Sequence, residues 1–293
     1  MNLLFRAMST VFLGLVCAGC SLAADSEPLT VYNNDDRVPL LNAGGDLARF
    51  APTIAILAQK HRAPTPQNLQ LNAPKFGSVF GMCSDEAFFE EKTVGDCTGF
   101  LVTNNLLLTA GHCVKDASSC SKRTIIFNFH VPNQPAVESR DLYFCKSVPA
   151  RLPPNEGDLA LIELDRDVEL NPGQPFLEAH DFNSKTTESA QILSHPFGVS
   201  LKVSALESSP VQDGAFFYAQ ADVSGGSSGA PAFDPTTGRL AGVLISGEGD
   251  LAWDRSNQCN RHKVCENGAC KGERFATTSS VQKLMNIYKS LRQ

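Results

Sequence analysis

Three short motifs supply a histidine, an aspartate and a serine in surroundings that favour hydrolytic chemistry. His112 lies in a Thr-Ala-Gly-His-Cys run that follows an apolar segment, Asp158 opens the run Asp-Leu-Ala-Leu-Ile, and Ser228 lies in Gly-Ser-Ser-Gly-Ala-Pro. A serine hydroxyl is a poor nucleophile without an adjacent base, and an imidazole base needs an acid that fixes its tautomer. The chain therefore offers one candidate for each of the three roles in nucleophilic catalysis.

Taken singly, each motif has a simpler interpretation. A lone histidine is usually structural, an aspartate before a strand is usually a turn residue, and a Gly/Ser run is usually a flexible loop. The glycines around Ser228, however, allow backbone N–H groups to converge beside its hydroxyl, as a developing oxyanion requires. Only the combination predicts a catalytic site. We expect the other histidines to be structural or exposed: His61, His130, His180, His195 and His262.

A second serine competes for the role of nucleophile. The run Gly-Gly-Ser-Ser-Gly also matches the Gly-x-Ser-x-Gly elbow of α/β-hydrolases, with Ser227 as the nucleophile. In those enzymes the acid and then the histidine follow the serine along the chain. After Ser227 only His262 remains, in a loop rich in cysteine and charge, and no alternating helix–strand pattern surrounds the site. The histidine–aspartate–serine order is therefore favoured, with Ser228 as the nucleophile.

Composition and charge exclude several classes of protein. The 293 residues are 42% hydrophobic and 19% charged, which is typical of a folded globular chain and not of a disordered one. The formal net charge is −6, so the basic footprint of a protein that binds nucleic acid or anionic lipid is missing. Ten cysteines indicate an oxidising compartment.

Residues 1–23 have the layout of a cleaved secretory signal. Arg6 precedes a short apolar run, and small residues lead to a predicted cleavage after Ala23. The alternatives are an N-terminal core helix and lipidation at Cys20. Removal of the segment takes away Arg6, Cys17 and Cys20 and leaves eight cysteines, an even number that suits disulfides. No later run approaches transmembrane length. We therefore expect a secreted or periplasmic protein without a membrane span.

The remaining chain divides into two parts of different texture. Residues 24–78 are polar and rich in turns, apart from one apolar segment at residues 50–57, and form an N-terminal extension. This extension is a candidate pro-segment, with processing after Arg62 or Lys75, and part of it could instead pack on the following domain. Residues 79–293 contain many short apolar runs separated by Gly, Pro and Asn, which predicts an all-β barrel or sandwich.

The C-terminal residues follow a different period. Ser279 and Ser280 precede apolar residues spaced three, four and three apart. This spacing predicts one amphipathic helix that docks on its own domain, with a serine cap at its start. Its apolar positions are Val281, Leu284, Tyr288 and Leu291.

The three motifs resemble those of the trypsin/chymotrypsin-like serine peptidases. The resemblance implies two six-stranded antiparallel β-barrels with the site in the cleft between them. It also implies that His112 is the general base, Asp158 its orienting acid and Ser228 the nucleophile. The backbone N–H groups of Gly226 and Ser228 would form the oxyanion hole. A further implication is a disulfide that ties the histidine loop, between Cys97 and Cys113.

A narrower resemblance is to the bacterial secreted branch that includes the glutamyl endopeptidases. The run Val-Tyr-Asn-Asn-Asp-Asp-Arg at residues 31–37 is similar to a segment near their mature N-terminus, and Ser-His-Pro-Phe-Gly at residues 194–198 resembles one of their turns. Glutamate preference in that branch would call for a histidine in the strand at residues 242–247, and Leu244 occupies that position. The specificity of that branch is therefore not carried over.

Four residues bear on activation and on substrate specificity: two depart from the trypsin pattern and two match it. Ser227 replaces the aspartate that captures the new N-terminus in trypsin, so we expect the site not to depend on that ion pair. Ser224 replaces a cysteine beside the specificity pocket. Asp222 stands six residues before the nucleophile, where trypsin carries the pocket carboxylate, and Gly247 lies in the strand that lines the pocket. Asp222 weakly indicates a preference for Arg or Lys, whereas a turn-capping role for Asp222 is the alternative.

Six further cysteines allow fifteen pairings, among which the sequence does not choose. Cys120 with Cys145 would close a barrel hairpin. A metal knuckle of Cys259, His262, Cys265 and Cys270 is the alternative for the last group. We expect disulfides, no metal and no cofactor.

The sequence thus predicts a secreted serine endopeptidase that hydrolyses peptide bonds through an acyl-enzyme on Ser228. Its partners would be protein or peptide substrates, with no nucleic acid, and we expect a monomer. The alternatives are a catalytically silent binding module with a peptidase fold, and an esterase on the same scaffold.

Overall fold

Short apolar runs form most of the strands in the computed structural model, which describes residues 31–43, 45–179, 190–265 and 270–293. The predicted signal segment, with Cys20, and His180 lie outside the described residues. The strands are β1 (Val31–Tyr32), β2 (Val38–Pro39), β3 (Ile54–Gln59), β4 (Cys97–Thr103), β5 (Leu106–Ala110), β6 (Arg123–Phe127), β7 (Leu142–Arg151), β8 (Leu159–Leu164), β9 (Glu178–Ala179), β10 (Gln191–Ser194), β11 (Lys202–Ala205), β12 (Val211–Asp213), β13 (Phe216–Ala219), β14 (Pro231–Phe233), β15 (Arg239–Ser246), β16 (Leu251–Asp254), β17 (Cys259–His262), β18 (Val264–Cys265) and β19 (Glu273–Thr277).

Six strands of the first half close into a barrel, in the order β3-β4-β5-β8-β7-β6. Every neighbouring pair is antiparallel, and β6 returns to pair with β3. Four of these strands, β3, β5, β6 and β8, are buried along nearly their whole length because the barrel interior and the packing around it cover both faces, whereas β7 is mostly half-buried. Ile54, Phe100 and Leu107 are fully buried in this core.

The second half forms a nine-stranded sheet, in the order β12-β13-β19-β15-β14-β10-β11-β2, with β9 alongside β15. The predicted all-β, chymotrypsin-like fold with a C-terminal helix is confirmed. The expected second six-stranded barrel is instead a sheet of nine strands, and among the described residues only the first half closes into a barrel. Two of the three additional strands are β2 from the N-terminal segment and the short β9. The two halves share one hydrophobic core, in which Phe50 packs edge-to-face on Phe233 with ring centroids 4.9 Å apart.

Part of the predicted N-terminal extension is built into both halves. β1 pairs in parallel with β18, β2 pairs with β11, and β3 is a member of the closed barrel. The apolar segment at residues 50–57 therefore supplies barrel residues. Whether any part of residues 24–78 is removed stays a prediction.

Three helices accompany the strands in the described part of the chain: α1 (Phe76–Phe80), α2 (Ala117–Cys120) and α3 (Thr278–Ser290). The predicted C-terminal helix is α3, with Val281 and Leu284 buried. Its cap is Thr277, whose hydroxyl accepts the Ser280 N–H, and not the predicted Ser279 or Ser280. Leu291 lies beyond the last turn and is exposed, because the helix ends at Ser290.

Four disulfides link distant and neighbouring segments: Cys83–Cys259, Cys97–Cys113, Cys120–Cys145 and Cys265–Cys270. The pair expected around the histidine loop is formed, and so is the hairpin pair Cys120–Cys145. The three cysteines of the alternative metal knuckle are all engaged in disulfides. In the part of the chain that the structure describes, no helix combines the length and apolarity needed to cross a bilayer.

Candidate active site

The histidine and the aspartate are brought together by the register of two neighbouring strands. β5 and β8 are antiparallel, and Ala110 at the end of β5 pairs with Leu159 at the start of β8. His112 follows Ala110 by two residues, and Asp158 directly precedes Leu159. Their side chains therefore meet, and the distance from His112 Nδ1 to Asp158 Oδ2 is 2.7 Å. Asp158 is buried, whereas the imidazole is partly exposed to the cleft.

The backbone around this pair is closely fitted. Asp158 has a φ of 48°, in the left-handed region that a non-glycine residue seldom adopts, and such strain concentrates at functional sites. The N–H of Gly111 donates to the Asp158 carbonyl at 2.6 Å. A Cβ atom at Gly111 would lie 2.6 Å from Asp158 Oδ1, so only glycine fits beside the Asp158 carboxylate. This crowding fixes the carboxylate beside the imidazole.

The serine lies in a turn that needs two glycines. Gly226 and Gly229 have φ values of 95° and 90°, and a Cβ at Gly226 would lie 2.6 Å from the His195 carbonyl. The Ser228 carbonyl accepts the Thr98 N–H at 2.8 Å, and the Gly229 N–H donates to the Leu244 carbonyl at 2.7 Å. The turn is thus held between β4 of the first barrel and β15 of the second half. It is not the flexible Gly/Ser loop of the simpler interpretation.

The groups that the sequence assigned to an oxyanion hole are free to donate. Among the described residues, neither the Gly226 N–H nor the Ser228 N–H has a hydrogen-bond acceptor. The Ser228 hydroxyl donates to the Ile245 carbonyl, with the two oxygens 3.3 Å apart. In the described part of the chain, no hydrogen bond joins this hydroxyl to His112. Active-site hydrogen bonds are often long or unformed in a protein without substrate.

A cavity of about 510 Å³ opens beside this centre. His112 and Asp158 line it together with Ile245, the partner of the Ser228 hydroxyl, and with the predicted pocket residue Gly247. Its lining carries four basic side chains and two acidic ones. The basic ones are Lys115, Arg151, Lys271 and Arg274, and the acidic ones are Asp158 and Glu248.

Arg274 differs from the other basic side chains because it is partly buried. Its guanidinium stacks over the Phe216 ring, 4.5 Å from the centroid. Its Nε is buried without a hydrogen-bond partner, and no carboxylate of the described residues forms an ion pair with it. An unpaired, partly desolvated cation at a cavity wall favours an anionic occupant. No local pattern around Arg274 indicates this role, because the cross-strand register of β19 brings the side chain to the cavity.

Asp222 does not line this cavity. Its carboxylate is fully buried, and it accepts the Tyr32 N–H on Oδ1 at 2.6 Å and the Asp36 N–H on Oδ2 at 2.7 Å. Burial raises the pKa of Asp222 to about 7; the two N–H bonds act in the opposite direction, and the carboxylates of Asp36 and Glu207 raise it further. The weak indication of an Arg or Lys preference is thereby corrected, because the carboxylate is engaged by the N-terminal segment.

The two serines that depart from the trypsin pattern are also buried. The Ser227 hydroxyl donates to the Ser194 hydroxyl at 3.1 Å, and the Ser224 hydroxyl accepts Arg37 Nη1 at 2.7 Å. Ser227 therefore points into the interior, which disfavours it as a nucleophile. Leu244, at the position of the missing histidine, is fully buried as well.

Two of the other histidines are held by hydrogen bonds away from the candidate site, whereas His61 is exposed. His195 is buried and donates from Nδ1 to the Val199 carbonyl at 2.9 Å. His262 Nδ1 lies 2.6 Å from Glu86 Oε2. Burial lowers the pKa of both imidazoles, to about 3 for His195.

Comparison with known proteins gives a family and a fold. The family model for the trypsin-like peptidase domain matches residues 97–243, half of the chain. The crystal structure of Rv3671c from M. tuberculosis, a mutant in its inactive form, has a TM-score of 0.50 and 14% identity over 89% of this chain and 98% of that chain. A Glu endopeptidase in complex with MPD has a TM-score of 0.49 and 17% identity over 89% and 99%. No curated protein matches the sequence. At these identities the structural likeness concerns the fold alone.

Proposed function

Because the chain belongs to the trypsin-like peptidase family, we propose that it is a secreted serine endopeptidase in which Ser228 is the nucleophile, His112 the general base and Asp158 the orienting acid. The observation that supports this most directly is the buried Asp158 carboxylate, 2.7 Å from His112 Nδ1, at a cavity that is also lined by Ile245, whose carbonyl accepts the Ser228 hydroxyl.

The reaction follows from the contacts of these side chains. The Ser228 hydroxyl leaves the Ile245 carbonyl, to which it donates here, and gives its proton to His112 Nε2 as Oγ attacks the substrate carbonyl. Asp158 keeps the Nδ1 proton in place and stabilises the imidazolium. The free N–H groups of Gly226 and Ser228 donate hydrogen bonds to the developing oxyanion, and each donor stabilises the transition state by about 3 kcal/mol.

The second half of the cycle uses the same groups. The imidazolium gives its proton to the leaving amine, which departs and leaves an acyl-enzyme on Ser228. Water then attacks the ester carbonyl while His112 again acts as base, and the carboxylic acid product is released with Ser228 restored. No metal or cofactor is needed in this sequence of steps.

Export is part of the proposal. The signal-like segment at residues 1–23 and the four disulfides are both typical of a protein that folds in an oxidising compartment, outside the cell or in the periplasm.

An acidic side chain next to the scissile bond is the favoured occupant of the cavity. Four basic side chains line it, and Arg274 has no carboxylate partner among the described residues. Of the two acidic lining residues, Asp158 is engaged by His112, and Glu248 accepts the Lys271 N–H at 2.9 Å. A basic substrate side chain would meet like charge here, whereas a carboxylate would pair with the guanidinium and restore its hydrogen bonding.

The function is tested by the cleavage of a mixed peptide library by the wild type and two serine variants. Ser228→Ala should lower kcat by about six orders of magnitude, as the loss of a triad serine does. Ser227→Ala should stay active if it folds, which separates the two candidate nucleophiles. A folded wild type that cleaves neither peptides nor esters would indicate the binding module, and turnover of esters alone would indicate the esterase.

A further inference from the structure

Residues 31–37, called the strap below, lie against the segment that leads into the nucleophile turn. Three hydrogen bonds join them: Tyr32 N–H to Asp222 Oδ1 at 2.6 Å, Asp36 N–H to Asp222 Oδ2 at 2.7 Å, and Arg37 Nη1 to Ser224 Oγ at 2.7 Å. Asp222 and Ser224 are separated from Ser228 by only six and four residues. The strap therefore fixes the backbone directly before the predicted oxyanion hole.

The strap also contacts β19, the strand that carries Arg274. The Tyr32 hydroxyl donates to Glu273 Oε1 at 3.1 Å, and Glu273 lies between Gly272 and Arg274, which both line the cavity. Tyr32 is almost completely buried. Tyr32 thus connects two segments. Its N–H donates to the segment before the nucleophile, and its hydroxyl donates to β19, the strand that carries Arg274.

Arg37 is built into this contact. It is 5% exposed, its Nε and Nη2 donate to the two oxygens of Asp35 at 2.8 and 2.7 Å, and its guanidinium lies 5.0 Å from the centre of the Phe88 ring. The remaining nitrogen, Nη1, is the donor to Ser224. This bidentate pairing fixes the guanidinium plane and hence the direction of the Nη1 donor.

Taken by itself, the cluster of carboxylates around Asp222 destabilises the folded protein. The carboxylates of Asp36, Glu207 and Asp222 offer oxygens within 4.8 Å of one another, and Asp222 is fully buried. Like charges at this separation repel, and burial penalises the ionised form. Local arrangements that oppose stability are expected where they serve a function. Here the ionised carboxylate offers an oxygen to each of two strap N–H groups.

We propose that the strap is the positioning element of the oxyanion hole, with Asp222 and Arg37 as positioning residues, and that the active enzyme therefore retains residues 31–37. The strap acts without the ion pair to the new N-terminus, because Ser227 replaces the aspartate that would form it. Processing after Arg62 or Lys75 is incompatible with this arrangement, and it would also remove β3 from the closed barrel. The proposal rests on the proposed peptidase function.

The test uses Asp222→Asn and Arg37→Lys, which keep the size or the charge of the side chain while removing part of its bonding. The matched control is Asp141→Asn, a buried carboxylate that accepts Asn128 Nδ2 at 2.7 Å, beside the first barrel and away from the nucleophile turn. Melting temperature, kcat and KM are measured for each, with peptide substrates and well below the melting temperature. Fluorophosphonate labelling rates are measured alongside.

We expect each strap variant to lose at least tenfold in kcat and in labelling rate, with KM changed less than twofold. The control should lose melting temperature but keep kcat. Unchanged kcat in a folded strap variant, or a change in KM alone, would overturn the proposal while leaving the peptidase function intact. An inactive wild type would instead contradict the proposed function.

A second measurement does not depend on any variant. The intact mass of the active, naturally processed protein should correspond to a chain that begins at or before Val31. An active form that begins after Arg37, with the strap peptide absent, would contradict the proposal.

Discussion

The two sides of the candidate active site are assembled in different ways. His112 and Asp158 lie on adjacent strands of one closed barrel, and a single strand register places them in contact. Ser228, by contrast, is held by a segment that contacts β4, β15 and the strap, of which β4 and the strap lie more than a hundred residues earlier in the chain. The first side depends on local pairing, and the second on long-range contacts. Substitutions on the two sides should therefore have different signatures.

After loss of the nucleophile itself, the largest effect is expected on the histidine–aspartate side. Asp158→Asn keeps the shape of the side chain but favours the wrong imidazole tautomer, so kcat should fall by about four orders of magnitude. Steady-state kinetics with a peptide substrate measures this loss, and circular dichroism checks the fold. A folded variant with nearly normal kcat would remove Asp158 from the proposed triad.

The cavity wall on the serine side should affect substrate choice. Arg274→Gln removes the unpaired guanidinium, so kcat/KM for substrates with an acidic residue next to the scissile bond should fall about 10- to 100-fold, the range for a hydrogen bond between charged groups. Neutral substrates should change little. Arg239→Gln, an exposed arginine at the start of β15, is the matched control. Equal losses for acidic and neutral substrates would contradict the proposed pocket.

The disulfide around the histidine loop should affect stability more than chemistry. Replacement of both Cys97 and Cys113 by Ser opens a loop with a sequence separation of 16 and should lower the free energy of unfolding by about 3 kcal/mol. Denaturant unfolding followed by fluorescence measures the change. If stability stays the same, the loop is held by the remaining barrel contacts alone.

The smallest effect concerns the pH dependence of stability at Asp222. The pKa is raised to about 7 in the folded state, whereas an unfolded aspartate titrates near 3.9. Between these values the folded state binds the extra proton, so the contribution of this group to stability is full below about pH 4 and is lost as the pH rises through about 7.

Asp222→Asn removes this titration. The melting temperature of the variant, relative to that of the wild type, should therefore be higher at pH 8 than at pH 5. Calorimetry at both pH values measures the difference. An equal difference at the two pH values would mean that Asp222 titrates normally.

Sequence patterns predicted the parts of the molecule that depend on local order. The apolar runs that become β4, β5, β8 and β15 were evident, as was the C-terminal helix. The contact between His112 and Asp158 followed from their motifs because each adjoins a strand end. The family model and the fold confirm the peptidase-like architecture, while the catalytic roles stay predictions.

The remaining features depend on contacts between distant segments. The apolar segment at residues 50–57 was not assigned to the barrel, because it lies alone in a polar region and its partners β4 and β6 are far along the chain. Asp222 was placed in a specificity pocket by its spacing from Ser228, whereas its carboxylate turns to the strap. Arg274 had no local signal at all, because only the β13–β19–β15 register brings it to the cavity.

The most direct test of the triad is a fluorophosphonate probe applied to the purified, signal-free protein, followed by intact-mass measurement and peptide mapping. The account predicts one adduct, located on Ser228, that disappears when the protein is unfolded by heat before labelling. An adduct on Ser227, or no adduct on a folded chain that retains the strap, would contradict it.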